Sequence, residues 1–216
     1  MNQVAPDVWQ IPLVPRNGVN AYLIGDLVVD AGAKGMAKKV LAAVDGKTVA
    51  AHAITHAHGD HVGGSKRVVD ALKVPFWCPA GDADDVEKGE AVIAESRVKP
   101  LMEMGKKFDA VPVARRLSEG DDVGAGFVVL DTPGHSPGHI SFWRESDRVL
   151  ICADVFFNLH LLTGQYGLRD PYKAFTVDVE QNHASQRKLA ALRPEVVGFG
   201  HGPVIKDPDA LARFVG

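Results

Sequence analysis

The chain is 216 residues long, 46% hydrophobic and 24% charged, with a formal net charge of −3. That length buries a sizeable core as one large domain or two small ones. The acidic balance offers no general attraction to nucleic acid or to an anionic membrane surface, and no apolar run approaches the ~20 residues of a membrane span. The opening residues, MNQVAPDVWQIPL, lack the basic stretch and apolar core of a secretory signal. Cys78 and Cys152, the two cysteines, sit in apolar, strand-like stretches. That placement predicts buried thiols and a cytoplasmic protein.

Short strands come first. Residues 8–13, 21–24 and Leu27–Val29 read as strands separated by turn signals at Pro15, Asn17-Gly18 and Gly25-Asp26. The third runs into VVDAGAKG, with Asp30 at its end and glycines that permit a tight start to a helix over 36–44. Met36, Val40, Leu41 and Val44 share one face of that helix. Residues 49–55 then form a buried strand, and the sequence HAHGDHVGG follows it directly. His56, His58, Asp60 and His61 are all nitrogen or oxygen donors of the kind that bind divalent transition metals. In extended backbone, residues two apart point to one side, so His56 and His58 can grip one ion together. Asp60 and His61 diverge as the chain turns and suit a second ion nearby.

A helix over about 62–72, with Val68, Val69 and Leu72 inward, and a strand at 74–78 complete the first half of an α/β architecture. Residues 81–107 are charged and weakly periodic, and read as a solvated helix and loop. Strands without long helices between them follow, at 114–117, 127–130, Ile140–Arg144 and Val149–Ala153. A helix at 179–192, a strand at Val196–Phe199 and a closing helix at 208–214 end the chain. No short internal repeat or low-complexity tract interrupts this order.

The H-x-H-x-D-H run after a hydrophobic strand, DTPGHSPGH with His135, LICADVFF with Asp154 and VVGFGHGPV with His201 occur in that order. Together they resemble the metallo-β-lactamase superfamily over about residues 20–204. The resemblance implies an α/β fold, the four-layer αβ/βα sandwich of that family, as a single domain over residues 1–216. It also implies two divalent metal ions, with zinc the first expectation and manganese or iron the alternatives. His56, His58 and His135 would hold the first ion, Asp60, His61 and His201 the second, and Asp154 would bridge them. Each ion would then keep room for solvent, as a catalytic site requires. The paired charge would lower the pKa of bound water toward ~7 and stabilise the oxyanion formed on attack at a carbonyl. Asp60, beside that water, would also accept its proton.

Substrate recognition in the family falls in the loop after the bridging aspartate, here Phe157, His160 and Tyr166. The variable segment near Leu101, Met102 and Met104 would form a second wall. Asp30 and Asp131 end strands next to the ligand loops; each either takes the second ring N–H of a ligand histidine or serves as a turn or capping residue. His139 reads as a strand residue with a structural hydrogen bond, and His52 and His183 as ordinary strand and helix residues.

Departures from the family narrow the substrate. True metallo-β-lactamases place Cys where Asp154 stands, which disfavours antibiotic hydrolysis. Flavodiiron oxygen reductases use an acid where His58 stands, and the 216 residues lead one to expect neither their flavin domain, nor the helical extension of glyoxalase II, nor the basic arm of the tRNA-processing nucleases. DTPGHSPGH matches lactone-opening relatives closely, but their tyrosine three residues after the bridging aspartate is Phe157 here. The sequence therefore leads to a metal-dependent hydrolase of a small ester, thioester or lactone, acting on a small molecule and on neither nucleic acid nor membrane. A mononuclear iron dioxygenase acting on a sulfur substrate is the alternative.

Overall fold

The computed structural model describes residues 1–91 and 107–216, so Leu101, Met102 and Met104 lie outside the described residues. Seven strands form the first sheet in sequence order: β1 (Asn2–Ala5), β2 (Val8–Pro12), β3 (Asn20–Ile24), β4 (Leu27–Val29), β5 (Ala51–Ala53), β6 (Phe76–Pro79) and β7 (Arg115–Leu117). Pairing is antiparallel from β1 to β4 and parallel from β4 to β7. In the parallel half, helices α1 (Ala37–Ala43), α2 (Gly59–Val62), α3 (Ser65–Leu72) and α4 (Ala83–Lys88) lie between the strands in sequence.

β8 (Asp122–Gly124), β9 (Phe127–Asp131), β10 (Ile140–Arg144), β11 (Val149–Ala153) and β14 (Val196–Phe199) make the second sheet, in the order β14-β11-β10-β9-β8. Its outer face carries α5 (Val179–Ala191) and α6 (Ala210–Val215). The remaining strands, β12 (Phe157–Leu159) and β13 (Tyr166–Arg169), pair as a separate hairpin.

Three packed zones turn these elements into layers. Val8, Tyr22, Ile24 and Val29 of the first sheet meet Phe127, Val129, Phe142 and Ile151 of the second in the central core. Ile11, Leu23 and Val28, on the opposite face of the first sheet, pack with Val40 and Val68 from α1 and α3. Leu150, Cys152 and Val197, on the outer face of the second, pack with Leu189 and Leu211 from α5 and α6. The result is the four-layer αβ/βα sandwich. β10 and β11 are buried along their whole length, and β11 accordingly reads as a continuous apolar run without alternation. Truncating a central side chain such as Phe142 should cost ~3–5 kcal/mol. An exposed pair such as Lys34–Asp109, with side chains 72% and 50% exposed, contributes at most ~1 kcal/mol. The apolar layers hold the fold.

The structure differs from the sequence reading in four places. The helix expected over 62–72 is two helices broken at Gly63-Gly64. A Cβ at Gly64 would lie 2.4 Å from the Ala31 carbonyl oxygen, so the chain can press against the turn after β4 only where it has no side chain. β1 and β8 are short strands with little apolar pattern, and the sequence reading has no strand there. The stretch after Asp154, expected as a loop, contains the β12–β13 hairpin. Both cysteines are free and buried, on different layers of the sandwich, as the sequence leads one to expect. Among the described residues no helix is long and apolar enough to cross a membrane.

Candidate metal centre

The loops that leave β4, β5, β9, β11 and β14 at their carboxyl ends converge on one edge of the sandwich. This is where open α/β sheets place their ligands. There the structure brings together all seven of the expected donors. Three groups have ligand atoms within 4.8 Å of one another: His56 with His58 and His135, His56 with His61 and Asp154, and Asp60 with His61 and His201. Asp154 Oδ2 is the hub, 3.2 Å from His201 Nε2, 3.4 Å from both His61 Nε2 and His135 Nε2, and 3.9 Å from His56 Nε2. Asp60 Oδ2 lies 3.4 Å from His201 Nε2, on the open side, with its side chain 42% exposed.

The second nitrogen of each ring explains why the first points inward. His61 Nδ1 lies 2.8 Å from Asp30 Oδ2, and His201 Nδ1 lies 2.6 Å from the Gly18 carbonyl oxygen. Both partners only accept, so both rings carry their proton on Nδ1. The Thr55 hydroxyl donates to Asp30, which leaves its lone pair to accept from His56 Nδ1 at 3.1 Å. Thr176 likewise donates to the Tyr172 carbonyl and can accept from His135 Nδ1 at 3.3 Å. Four rings therefore turn Nε2 toward Asp154. Nε2 of His56, His61 and His135 and Oδ1 of Asp154 are buried without a hydrogen-bond partner. Buried polar atoms left without partners in this number are costly unless a cation takes them. The residues fit a metal.

Electrostatics point the same way. Burial, reinforced by His61 and His58, pushes His56 well below the ordinary histidine range. Burial and His135 bring His58 down to about 3. Neutral imidazoles are what metal ligation needs. At His61 and His201 burial acts downward but Asp154 and its neighbours outweigh it, so His61 is raised and His201 reaches about 10. Metal binding at those two rings displaces protons. Asp154 is drawn well below the carboxylate range: burial opposes, and His201 and His61 prevail.

Of the two aspartates expected beside the ligands, Asp30 reaches His61 and Asp131 does not. Asp131 is exposed at the end of β9, where its carbonyl accepts from Lys188 at 3.0 Å. Its neighbour Thr132 instead bonds His139, whose Nε2 accepts from the Asp154 backbone N–H at 3.3 Å. His139 thus supports the hub from behind and joins none of the donor groups. His52 ties Val28 of the first sheet to Ser65 of α3, and His183 lies on α5 near Asp170.

The three expected substrate residues fall in different surroundings. Phe157 is buried, with its ring 4.4 Å from that of His201 and 6.3 Å from that of His135, so it walls the centre. His160 is half-buried, and its Nδ1 lies 3.3 Å from the Tyr172 hydroxyl. Tyr166 is exposed on β13, with the Arg16 guanidinium 5.3 Å from its ring. The sequence reading missed Asp82, Gly18 and Thr176. Asp82 shares a signal with Asp30, an acid just after a β-strand, whereas Gly18 and Thr176 carry no signal of their own.

Residues 14–201 match the family model described as the metallo-beta-lactamase superfamily. The chain belongs to that superfamily. Among curated relatives, the probable metallo-hydrolase YybB of Bacillus subtilis is 23% identical over 88% of this chain and 79% of its own. A hydroxyacylglutathione hydrolase of Methylococcus capsulatus is 30% identical over 89% of this chain and 64% of its own. Among solved structures, TTHA1623 in a di-iron-bound form is 30% identical with a TM-score of 0.71, covering 95% of this chain and 97% of its own. These names, with the superfamily, mark the chain as a metallo-hydrolase.

Proposed function

We propose that this metallo-hydrolase uses a dinuclear centre, with zinc the first candidate and iron or manganese the alternatives, to direct water at a small ester, thioester or lactone. The carrying observation is the single Asp154 oxygen within 3.9 Å of four inward imidazole nitrogens, flanked by two separate three-ligand groups. Seven donors are too many for one tetrahedral ion and suffice for two that share one ligand. Two divalent ions bound there supply Lewis acidity and lower the pKa of water toward ~7. Asp60 faces the opening and accepts the proton. Phe157 keeps the inner side apolar and dry. Leu161, Leu162, Phe175 and Val177 are exposed around the Tyr172 and His160 side of the site, and offer apolar surface to an acyl group.

Thioesters are the favoured class among the three, because relatives named hydroxyacylglutathione hydrolase match over most of this chain. The chain spans 47% and 64% of two such relatives. The free thiols fit the reducing cytoplasm. A mononuclear iron dioxygenase is the weaker reading, because Asp60, His61 and His201 already form a second ligand group. The di-iron-bound relative is consistent with two ions, and keeps iron open as the metal.

Elemental analysis of protein from its native host, followed by an ester, thioester and lactone panel, tests this reading. Two ions per chain are expected, and His61→Ala should lose about one. A wild-type protein that is fully active with a single ion sinks the dinuclear mechanism and raises the dioxygenase. A separate expectation concerns selectivity. His160→Ala should change the ranking of substrates by acyl group at unchanged metal content, since His160 belongs to none of the three donor groups. Uniform loss of thermal stability with the ranking preserved would make His160 a packing residue.

A further inference from the structure

Asp82 lies between β6 and α4, outside every donor group, and is fully buried. Its Oδ2 accepts from the Ala57 backbone N–H at 2.9 Å and from the Ser136 hydroxyl at 3.0 Å. Its Oδ1 accepts from the Gly138 backbone N–H at 2.8 Å. Ala57 stands between His56 and His58, and Ser136 follows His135. One carboxylate therefore ties together the two loops that deliver the three imidazoles of the first donor group.

The fit is close. A Cβ at Gly138 would lie 2.4 Å from Asp82 Oδ1, so the loop reaches the carboxylate only because residue 138 is glycine. No Lys, Arg or His among the described residues stands within ion-pair reach of Asp82, and burial raises its carboxyl above the ordinary range. A charge this buried is retained only where its hydrogen bonds are complete. Three donors on two oxygens meet that condition, and an amide could not, since its N–H₂ would face at least one backbone N–H. The other donor group is held by different means, with Asp30 on His61 and the Gly18 carbonyl on His201.

We propose that Asp82 is the positioning residue of the first metal site: by clamping the 55–58 and 133–139 loops it sets the affinity of the His56, His58 and His135 group and leaves that of the Asp60, His61 and His201 group alone. This rests on the two-ion reading given above. The test is titration of metal-stripped protein with Co²⁺, followed by calorimetry and by the visible absorption of the bound ion. In the wild type, two binding events are expected. In Asp82→Asn the event assigned to the three-histidine site should weaken by roughly 10–100-fold, the range seen when partners of ligand histidines are lost. The second event should keep its wild-type affinity.

His58→Ala and His61→Ala, titrated alongside, assign the two events. Ser136→Ala removes one of the three donors and should shift the same event in the same direction by a smaller factor. It also decides the matter if Asp82→Asn fails to fold. Equal weakening of both events, which a general loosening would produce, overturns the proposal, as does unchanged affinity at the first site. A wild-type chain that takes up one ion only would instead sink the two-ion reading. The Asp82 proposal is then decided by whether Asp82→Asn weakens that ion.

Discussion

Replacing Asp60 by Asn is expected to lower kcat by roughly 10²–10⁴-fold, the usual range for removing a positioned proton acceptor. Asp60 lies in the first turn of α2, and its side chain is the one ligand candidate that faces solvent to a large extent, at 42%. The inner six are buried and committed to one another. Burial acts to raise the Asp60 carboxyl, but His61 and His201 overcome it and hold the group below the ordinary carboxylate range. It therefore stays ionised across the working pH of most enzymes, so its oxygens carry no proton when water approaches. Asn keeps the shape and one ligating oxygen but cannot take up the proton. The measurement is kcat for whichever ester, thioester or lactone proves best, on protein whose metal content has been determined. Near wild-type kcat at full metal loading would remove Asp60 from proton transfer. A loss of rate that excess metal fully restores would reduce Asp60 to a ligand only.

The donors were legible because metal ligation leaves a strong mark on sequence. His56, His58, Asp60 and His61 crowd a stretch with few other residues, and His135, Asp154 and His201 each follow an apolar strand. Strand β11 was legible for a related reason, since full burial of VLICA demands a continuous apolar run. What escaped depends on contacts distant in sequence. Asp82 matters through Ala57 and Gly138, and nothing near Asp82 in the chain announces either. His201 is oriented by the Gly18 carbonyl, a backbone atom that any residue would supply. Asp30 and Asp131 looked alike as acids at strand ends, yet one holds a ligand ring and the other faces solvent. That difference comes from the way the sheets stack. The β12–β13 hairpin was missed because Phe157 and Leu159 are buried against the centre while Leu161 and Leu162 are exposed, a pattern that fits neither strand nor helix periodicity over the whole segment.

Stripping the metal should lower the thermal midpoint without abolishing cooperative folding. A bound ion stabilises the native state by RT ln(1 + [M]/Kd), about 4 kcal/mol for each site when free metal stands a thousandfold above Kd. For a chain of this size each kcal/mol moves the midpoint by about 2–4 °C, so the loss of one tightly held ion should cost roughly 8–16 °C. Two forces bound the effect. Asp154 is buried among ligands whose Nε2 atoms lack protein partners, so removing the cation leaves those groups uncompensated. Against this, His61 and His201 are raised in the metal-free arrangement, and protons on them replace part of the lost charge. The loop anchors made by Asp30 and Asp82 are hydrogen bonds within the protein, so chelation removes none of them directly. The chain should therefore remain folded and regain its midpoint when Zn²⁺ is returned. Scanning calorimetry before and after chelation, with metal content measured on the same samples, checks this. A midpoint unmoved by more than about 2 °C after verified removal of both ions would mean that the centre contributes little to stability at the metal levels used. The ligand loops would then owe their shape to Asp30 and Asp82.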